Sequence, residues 1–446
     1  MSSGLLRLSA LVLFGAAPWT ATAQASGSVA DIAPVLDAHQ HLRSPAAAAH
    51  GSDIPPPRVS LPPDLGAFLD ARIKAEQDKS ALAGLYVEHA WLLQSFDPAW
   101  VQTKDSIADW WVGATDAPYG LEPVGYGMNG NAAYITGYLT DLKTGHRDAH
   151  IAYSLTKSSD NRWRIMTEVL TMGEPRTVAP VTADFLVPLL DSARIQRALV
   201  LSIAYQFGEG RDEKPNEWPQ VRAENDWTAE QVAKYPSRLR AFCSFNPLKS
   251  YALQELDRCA RSGKFRGIKL HFGNSGVDLT NAADVEKVRK AFAAANENHL
   301  PVVVHFPPNG APFGRAYAQT FIDKVLPSAP NIPIQIAHLG SAGRLDPRAD
   351  SALAVFAEGI QARDPRMKNL WFDVATAVTP QISRKNAELV ASRIRQIGVE
   401  RILYGSDTPD KDHMTPAEGW AAFRDRLPLT PDELRTIADN VPPYAQ

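Results

Sequence analysis

The chain has little cysteine, no block of positive charge and no long apolar run after its first residues. Only two of its 446 residues are cysteines, and the formal net charge is −3. Without a basic run, nucleic acid is not an expected partner. Beyond the first two dozen residues no segment is apolar over the roughly 20 residues that a membrane span needs. No glycine-rich phosphate loop follows an early strand, which argues against an open nucleotide-binding sheet.

The N-terminal residues have the pattern of a secretory signal peptide. Arg7 precedes an apolar core, and the small residues Ala21-Thr22-Ala23 follow it. We therefore expect residues 1–23 to be removed and the protein to be periplasmic or secreted, without a membrane anchor. An exported chain with two cysteines can form one disulfide. Because Cys243 falls in a strand-like stretch and Cys259 in a helix-like one, we expect two buried thiols instead.

Eight short apolar runs alternate with amphipathic helical segments, which predicts a parallel sheet flanked by helices. Eight such units favour a (β/α)₈ TIM barrel, whose active site lies at the carboxyl ends of the strands. We assign residues 30–45 and 177–446 to this α/β barrel. The predicted strands lie within residues 34–42, 197–205, 239–247, 265–272, 300–308, 332–340, 369–376 and 401–409.

Histidines gather where these strands end. In "VLDAHQHL" the spacing of two places His39 and His41 on the same face of the first strand. Five of the eleven histidines lie at strand ends, which scattered core histidines would not do. Imidazoles converging with one carboxylate suit a divalent ion such as Zn²⁺. The residues in question are His39, His41, Lys269, His271, His305, His338 and Asp407.

The order of His-x-His, "VVVHF", "IAHLG" and "YGSDTP" resembles the amidohydrolase superfamily, and most closely its aminocarboxymuconate-semialdehyde decarboxylase-like branch. "GIKLH" and "AFCSFNP" resemble strands four and three of that branch. The resemblance implies a metal site formed by His39, His41, His305 and Asp407. It also implies that His338 acts on substrate or water as an acid/base or electrostatic catalyst.

The chemistry expected of such a site is activation of water by the metal and polarisation of a carbonyl group. Asp407 would accept a proton and His338 would stabilise developing charge. The resemblance to the decarboxylase-like branch implies one metal ion, and we favour zinc. It also implies an alternative, since some members of the superfamily bridge two ions with a carbamylated lysine on strand four, the position of Lys269. Lys269 and His271 share one strand face, so both are candidates for a catalytic role, and for Lys269 we favour a positioning contact or a contact with a substrate carboxylate.

Three functions remain open. The first is a hydrolase of a carbonyl-adjacent C–N or C–O bond, such as an amide or lactone, in a small molecule. The alternative is a non-oxidative decarboxylase that uses the same metal. A non-catalytic protein that binds a small ligand is the least favoured, because the ligand set is complete. Self-association is left open by the sequence.

About 135 residues separate the first strand from the next barrel helix, far more than a barrel loop needs. Helical segments and then alternating strands within 60–176 resemble a SnoaL-like α+β cone fold, inserted between strand 1 and helix 1. Tyr86, His89, Asp97 and Trp100 are candidates to line a pocket, although ordinary core and surface positions are the favoured interpretation. Because the insert leaves the barrel at the catalytic face, we expect it to pack beside the barrel mouth.

Overall fold

The computed structural model describes residues 29–52, 56–75, 78–95, 100–114, 119–141, 147–173, 177–310, 312–408 and 414–446. The predicted signal peptide and Asp97 lie outside these residues. Among the residues that the structure describes, no helix combines the length and the apolar character needed to cross a membrane.

Eight parallel strands form the predicted barrel, in the order β1-β8-β9-β10-β11-β12-β13-β14. The sheet closes because the Ala38 amide donates to the Tyr404 carbonyl at 2.8 Å and Gln40 pairs in parallel with Thr408. All eight predicted strands are confirmed. Their bounds are β1 (Leu36–Gln40), β8 (Arg197–Leu201), β9 (Leu239–Ser244), β10 (Gly267–His271), β11 (Val302–His305), β12 (Ile334–Ile336), β13 (Leu370–Asp373) and β14 (Ile402–Leu403).

Helices surround the barrel and connect its strands. Several begin at capping side chains, such as Thr182 before α5 and Asp346 before α11, whose oxygens accept amides of the first turn. The helices are α1 (Pro45–Gly51), α5 (Ala183–Ser192), α6 (Glu217–Ala233), α7 (Ala252–Ser262), α8 (Phe272–Ser275), α9 (Ala282–Glu297), α10 (Arg315–Thr320), α11 (Pro347–Gln361), α12 (Arg384–Ile397), α13 (Pro416–Arg426) and α14 (Pro431–Asp439).

The insert between β1 and α5 is an α+β module with its own six-stranded sheet, as predicted. The strand order is β3-β2-β7-β6-β5-β4, and only β2 and β7 pair in parallel. Its apolar core is a cluster separate from those of the barrel. The elements are α2 (Pro63–Lys74), α3 (Lys79–Ala83), β2 (Tyr86–Gln94), β3 (Trp100–Gln102), α4 (Lys104–Ala114), β4 (Tyr119–Asn129), β5 (Ala132–Asp141), β6 (Arg147–Lys157) and β7 (Trp163–Met172).

One register in the insert differs from the expectation. Alternation from Trp163 and Ile165 predicts that Val169 also points inward. A bulge between β6 and β7 instead pairs Leu155 with Ile165 and Ser154 with Thr167. One extra residue exchanges the two faces of a strand. Glu168 therefore turns into the core and Val169 lies at its edge.

The expectation of two free thiols is wrong. Cys243 on β9 and Cys259 on α7 are buried, but they form a disulfide with their Cα atoms 6.3 Å apart. The strand and the helix that follows it pack side by side, so residues sixteen apart in sequence come within bonding distance. The bond ties this helix to the barrel wall.

Candidate active site

Four of the predicted residues meet at the carboxyl ends of the strands. His39 Nε2 lies 3.6 Å and His41 Nε2 lies 3.2 Å from Asp407 Oδ1. Nitrogens of His39 and His338 and an oxygen of Asp407 all lie within 4.8 Å of one another. His39 and His338 are buried, whereas His41 and Asp407 keep some exposure. The site therefore has a closed inner side and an open outer side.

Hydrogen bonds orient three of these imidazole rings in the same way. The Nδ1 atoms of His39, His41 and His338 lie 3.1 Å from Asp373 Oδ2, 2.6 Å from the Leu201 carbonyl and 2.8 Å from the Ala375 carbonyl. Because each of these partners only accepts, each ring carries its proton on Nδ1. The three Nε2 lone pairs are left for the site.

Asp373 was not singled out from the sequence. It ends β13, is fully buried and receives four donors: the His39 ring and Gln335 on Oδ2, and the His338 and Ala375 amides on Oδ1. Burial alone would raise its pKa, but the His39 ring beside it holds the pKa below its usual value. A carboxylate at a strand end in "LWFDVAT" was the available signal, since the carboxyl ends of barrel strands carry the active site.

Lys269 brings a cation to the same place. Its side chain is buried, and Nζ lies 3.2 Å from His39 Nε2. Burial lowers the pKa of Lys269 to about 8 and, together with the nearby Lys269 charge, lowers the pKa of His39 to about 3. His39 is therefore a neutral acceptor, and the ammonium group lies against its lone pair.

His271 and His305 form a second layer. Their rings stack at 3.8 Å between centroids, and the His305 ring lies 5.0 Å from that of His338. His271 Nδ1 accepts the Asn274 amide at 3.0 Å, so in the neutral ring the proton sits on Nε2. His271 thus offers a donor where the other rings offer acceptors. His305, predicted to be a metal ligand, lies outside the tight group of His39, His338 and Asp407.

The backbone is strained around the site. His338, Leu339, Thr376 and Asp407 have φ between 52° and 58°, the left-handed region that non-glycine residues rarely adopt. These four residues follow β12, β13 and β14. Strain of this kind costs on the order of 1–3 kcal/mol per residue and concentrates at functional sites.

A cavity of about 1040 Å³ opens beside the site, between the loops that follow β11, β12 and β13. Thr376 lines it and also contacts His338, with Oγ1 3.3 Å from Nδ1. Two exposed arginines, Arg344 and Arg348, give its wall positive charge. Other lining residues are Pro307, Asn309, Phe313, Asp346, Gln381 and Met414.

The donor set fits a divalent cation. The Nε2 lone pairs of His39 and His41 both face Asp407 Oδ1, and acceptors that face one another repel unless a cation lies between them. A carboxylate with three imidazole nitrogens is a common set for zinc, manganese or iron.

The amidohydrolase family model matches residues 201–440. Among solved structures, 5-carboxyvanillate decarboxylase from Sphingomonas paucimobilis is 16% identical, covers 56% of this chain and 79% of its own, and has a TM-score of 0.41. The Novosphingobium aromaticivorans enzyme, complexed with manganese and 4-hydroxy-3-methoxy-5-nitrobenzoic acid, is 17% identical over 57% and 77%, with a TM-score of 0.38.

An NTF-2 like protein of unknown function from Silicibacter pomeroyi is 16% identical to this chain. The match covers 25% of this chain and 93% of the other, with a TM-score of 0.22. A comparison with curated protein sequences finds no match.

Proposed function

The chain belongs to the amidohydrolase family, and from that premise we propose that it is a metal-dependent enzyme that removes the carboxyl group of a small organic acid. The observation that carries the proposal is the group of three Nε2 lone pairs and one carboxylate beside a cavity with two arginines. The ion would be held by His39, His41, His338 and Asp407. The His305 ring lies next to that of His338. When bound, a divalent ion supplies Lewis-acid polarisation of the substrate oxygens.

Residues around this group would bind the substrate and supply the proton that replaces its carboxyl group. Arg344 and Arg348 would draw an anionic substrate into the cavity. The His271 Nε2 proton would be donated to a substrate oxygen, which fixes the orientation of the carboxyl group. As the C–C bond breaks and CO₂ leaves, the electron pair stays on the substrate carbon. That carbon takes a proton from the Lys269 ammonium, which water then restores.

Hydrolysis of an amide or lactone is the second candidate. For this reaction His338 Nε2 would stay free of the ion and, with the Asp407 carboxylate close to it, would take a proton from an attacking water. The Lys269 ammonium and the two arginines of the cavity together favour decarboxylation, because its substrate is an anion and the carbon that loses CO₂ needs a proton.

The test uses protein loaded with zinc or manganese, separately, and panels of aryl carboxylates, lactones and amides in D₂O and in H₂¹⁸O. Decarboxylation releases CO₂ and places deuterium on the product carbon. Hydrolysis places ¹⁸O in the new carboxyl group without releasing CO₂. Turnover that is equally fast in metal-free protein would contradict the proposal, as would binding of these compounds without turnover.

We also propose that the protein is exported. A disulfide persists in oxidising compartments, and the Cys243–Cys259 bond supports this location. Fractionation of expressing cells, with the N-terminus of the mature protein sequenced, tests it. Recovery in the cytoplasm with residues 1–23 intact would contradict it.

A further inference from the structure

The segment 441–445, which follows α14, enters the barrel from the end opposite the site. The end of α14 lies at the amino ends of two strands, since the Ala438 carbonyl accepts the Val35 amide and Asn440 Nδ2 donates to Val399 and Ile402 carbonyls. Tyr444 and Ala445 then pack against residues of the barrel interior, with the Tyr444 ring 6.1 Å from that of Phe242.

From there a chain of hydrogen bonds crosses the barrel to the site. The Tyr444 hydroxyl donates to Gln335 Oε1 at 2.8 Å. Gln335 Nε2 donates to Asp373 Oδ2 at 2.6 Å and to the Ala38 carbonyl at 3.1 Å. Asp373 Oδ2 in turn accepts the His39 Nδ1 proton at 3.1 Å. Gln335 is buried at the middle of β12, so water does not replace these bonds.

The Asp373 carboxylate and the Ala38 carbonyl only accept, so they set which end of the Gln335 amide faces them, and the Tyr444 hydroxyl donates to the other end. An amide has an acceptor end and a donor end. With the donor end on Asp373 and the Ala38 carbonyl, Oε1 faces the Tyr444 hydroxyl, and that bond holds the amide in place from its other end. If the amide turned round, its oxygen would face the Asp373 carboxylate, and acceptor would meet acceptor in a dry interior.

We propose that Tyr444 is a positioning residue for the metal site, acting through Gln335 and Asp373 on the ring of His39. The proposal rests on the proposed role of His39 as a ligand. Asp373 holds His39 in the tautomer whose Nε2 binds a cation, and outer-shell partners of this kind set ligand orientation and basicity. Tyr444 fixes that partner from the far end of the barrel.

The experiment measures zinc affinity by competition with a chelator, using the full chain. Tyr444→Phe removes only the hydroxyl, and we expect it to weaken zinc binding by about tenfold, the lower end for loss of an outer-shell partner. Gln335→Leu removes both contacts and should weaken binding by up to ~100-fold. In the metal-free protein, the proton NMR signal of His39 Nδ1–H should shift or broaden in both variants.

Tyr251→Phe is the matched control. Tyr251 is buried and its hydroxyl also donates to a side chain, Glu217 Oε1, but it lies outside the barrel interior. It should lose stability without any change in zinc affinity or in the His39 signal. If Tyr444→Phe and Gln335→Leu bind zinc as wild type does, or lose no more affinity than Tyr251→Phe, the inference is wrong.

His39→Ala distinguishes failure of the positioning role of Tyr444 from failure of the proposed metal site. If His39→Ala abolishes zinc binding while Tyr444→Phe and Gln335→Leu bind normally, the positioning role fails and the metal site stands. If His39→Ala also binds zinc normally, the proposed site fails, and the positioning role fails with it. Should Gln335→Leu not fold, Tyr444→Phe and the His39 signal decide the outcome.

Discussion

The barrel and the insert each bury a cluster of charged and polar side chains, but the two clusters differ in how their charges are balanced. In the insert, Glu168 accepts from the Tyr86 hydroxyl at 2.5 Å and from Trp111 Nε1 at 3.2 Å. The Arg72 guanidinium lies 3.6 Å from the other Glu168 oxygen and over the Trp111 ring. The charges of this cluster neutralise one another inside the core.

In the barrel, hydrogen-bond acceptors outnumber positively charged groups at the candidate active site. Lone pairs of three histidines lie close to the carboxylate of Asp407, and one ammonium, that of Lys269, contacts the His39 nitrogen. A buried charge with its counter-charge beside it needs no ion from outside, whereas acceptors gathered beside a cavity are suited to bind one. We therefore assign chemistry to the barrel cluster and a structural role to the cluster in the insert.

The largest effect is expected from His39→Ala. It removes the ring that contacts Asp407, Lys269 and Asp373, so the protein should lose bound metal and lower its activity by at least ~10²–10⁴-fold. Elemental analysis and steady-state rates measure both. His150→Ala, which changes an exposed histidine of the insert, is the control and should keep both. Full metal content in His39→Ala would contradict the claim that the barrel cluster, unlike the cluster in the insert, binds a metal ion.

Glu168→Gln tests the other cluster. The change keeps the shape but leaves the buried Arg72 charge without its partner, which destabilises by about 3–5 kcal/mol. Urea unfolding should show this loss while the metal content of the folded protein stays unchanged. Glu88→Gln breaks an exposed pair with Lys104 and should change stability little. Loss of metal in Glu168→Gln would mean that the insert contributes to the site.

The same glycine substitution should act differently in the two regions. A Cβ at Gly405 would lie 2.8 Å from the Cβ of His39, so Gly405→Ala must move a residue of the site. Overpacking of this kind costs about 1–3 kcal/mol, and we expect weaker metal binding. At Gly66 in α2 a Cβ meets nothing within 4 Å, so Gly66→Ala should be neutral or slightly stabilising. Equal metal affinity in the two variants would show that the barrel site tolerates displacement of His39.

Periodicity predicted the fold because the barrel strands are mostly apolar and buried on both faces. Strand ends predicted the site because parallel strands end on one side. Long-range contacts were beyond such patterns. Nothing local in the sequence indicates that Asp373 lies against His39 or that Gln335 lies against Asp373. The bulge that turns Glu168 inward depends on pairing with β6. Of the pocket candidates in the insert, Tyr86 is buried, whereas His89 and Trp100 are exposed. The position of the insert beside the barrel mouth stays a prediction.

The smallest effect is expected from Glu433→Gln, which breaks a surface ion pair of the barrel. Its loss of stability can be compared with that of Glu168→Gln, which breaks the buried pair of the insert. The Glu433 carboxylate accepts two bonds from Arg395 at 2.6 and 2.8 Å, and this contact lowers the pKa of Glu433 to about 2. A lowered carboxyl pKa gives stability that is present above the unfolded value of 4.5 and is lost as the pH falls towards 2. Because water screens the pair, the loss in Glu433→Gln at pH 7 should be no more than ~1 kcal/mol and should vanish near pH 2. Urea unfolding at several pH values measures it. A loss of stability as large as that of Glu168→Gln, or one independent of pH, would contradict the expectation that removing one partner costs more in a buried pair than in an exposed one.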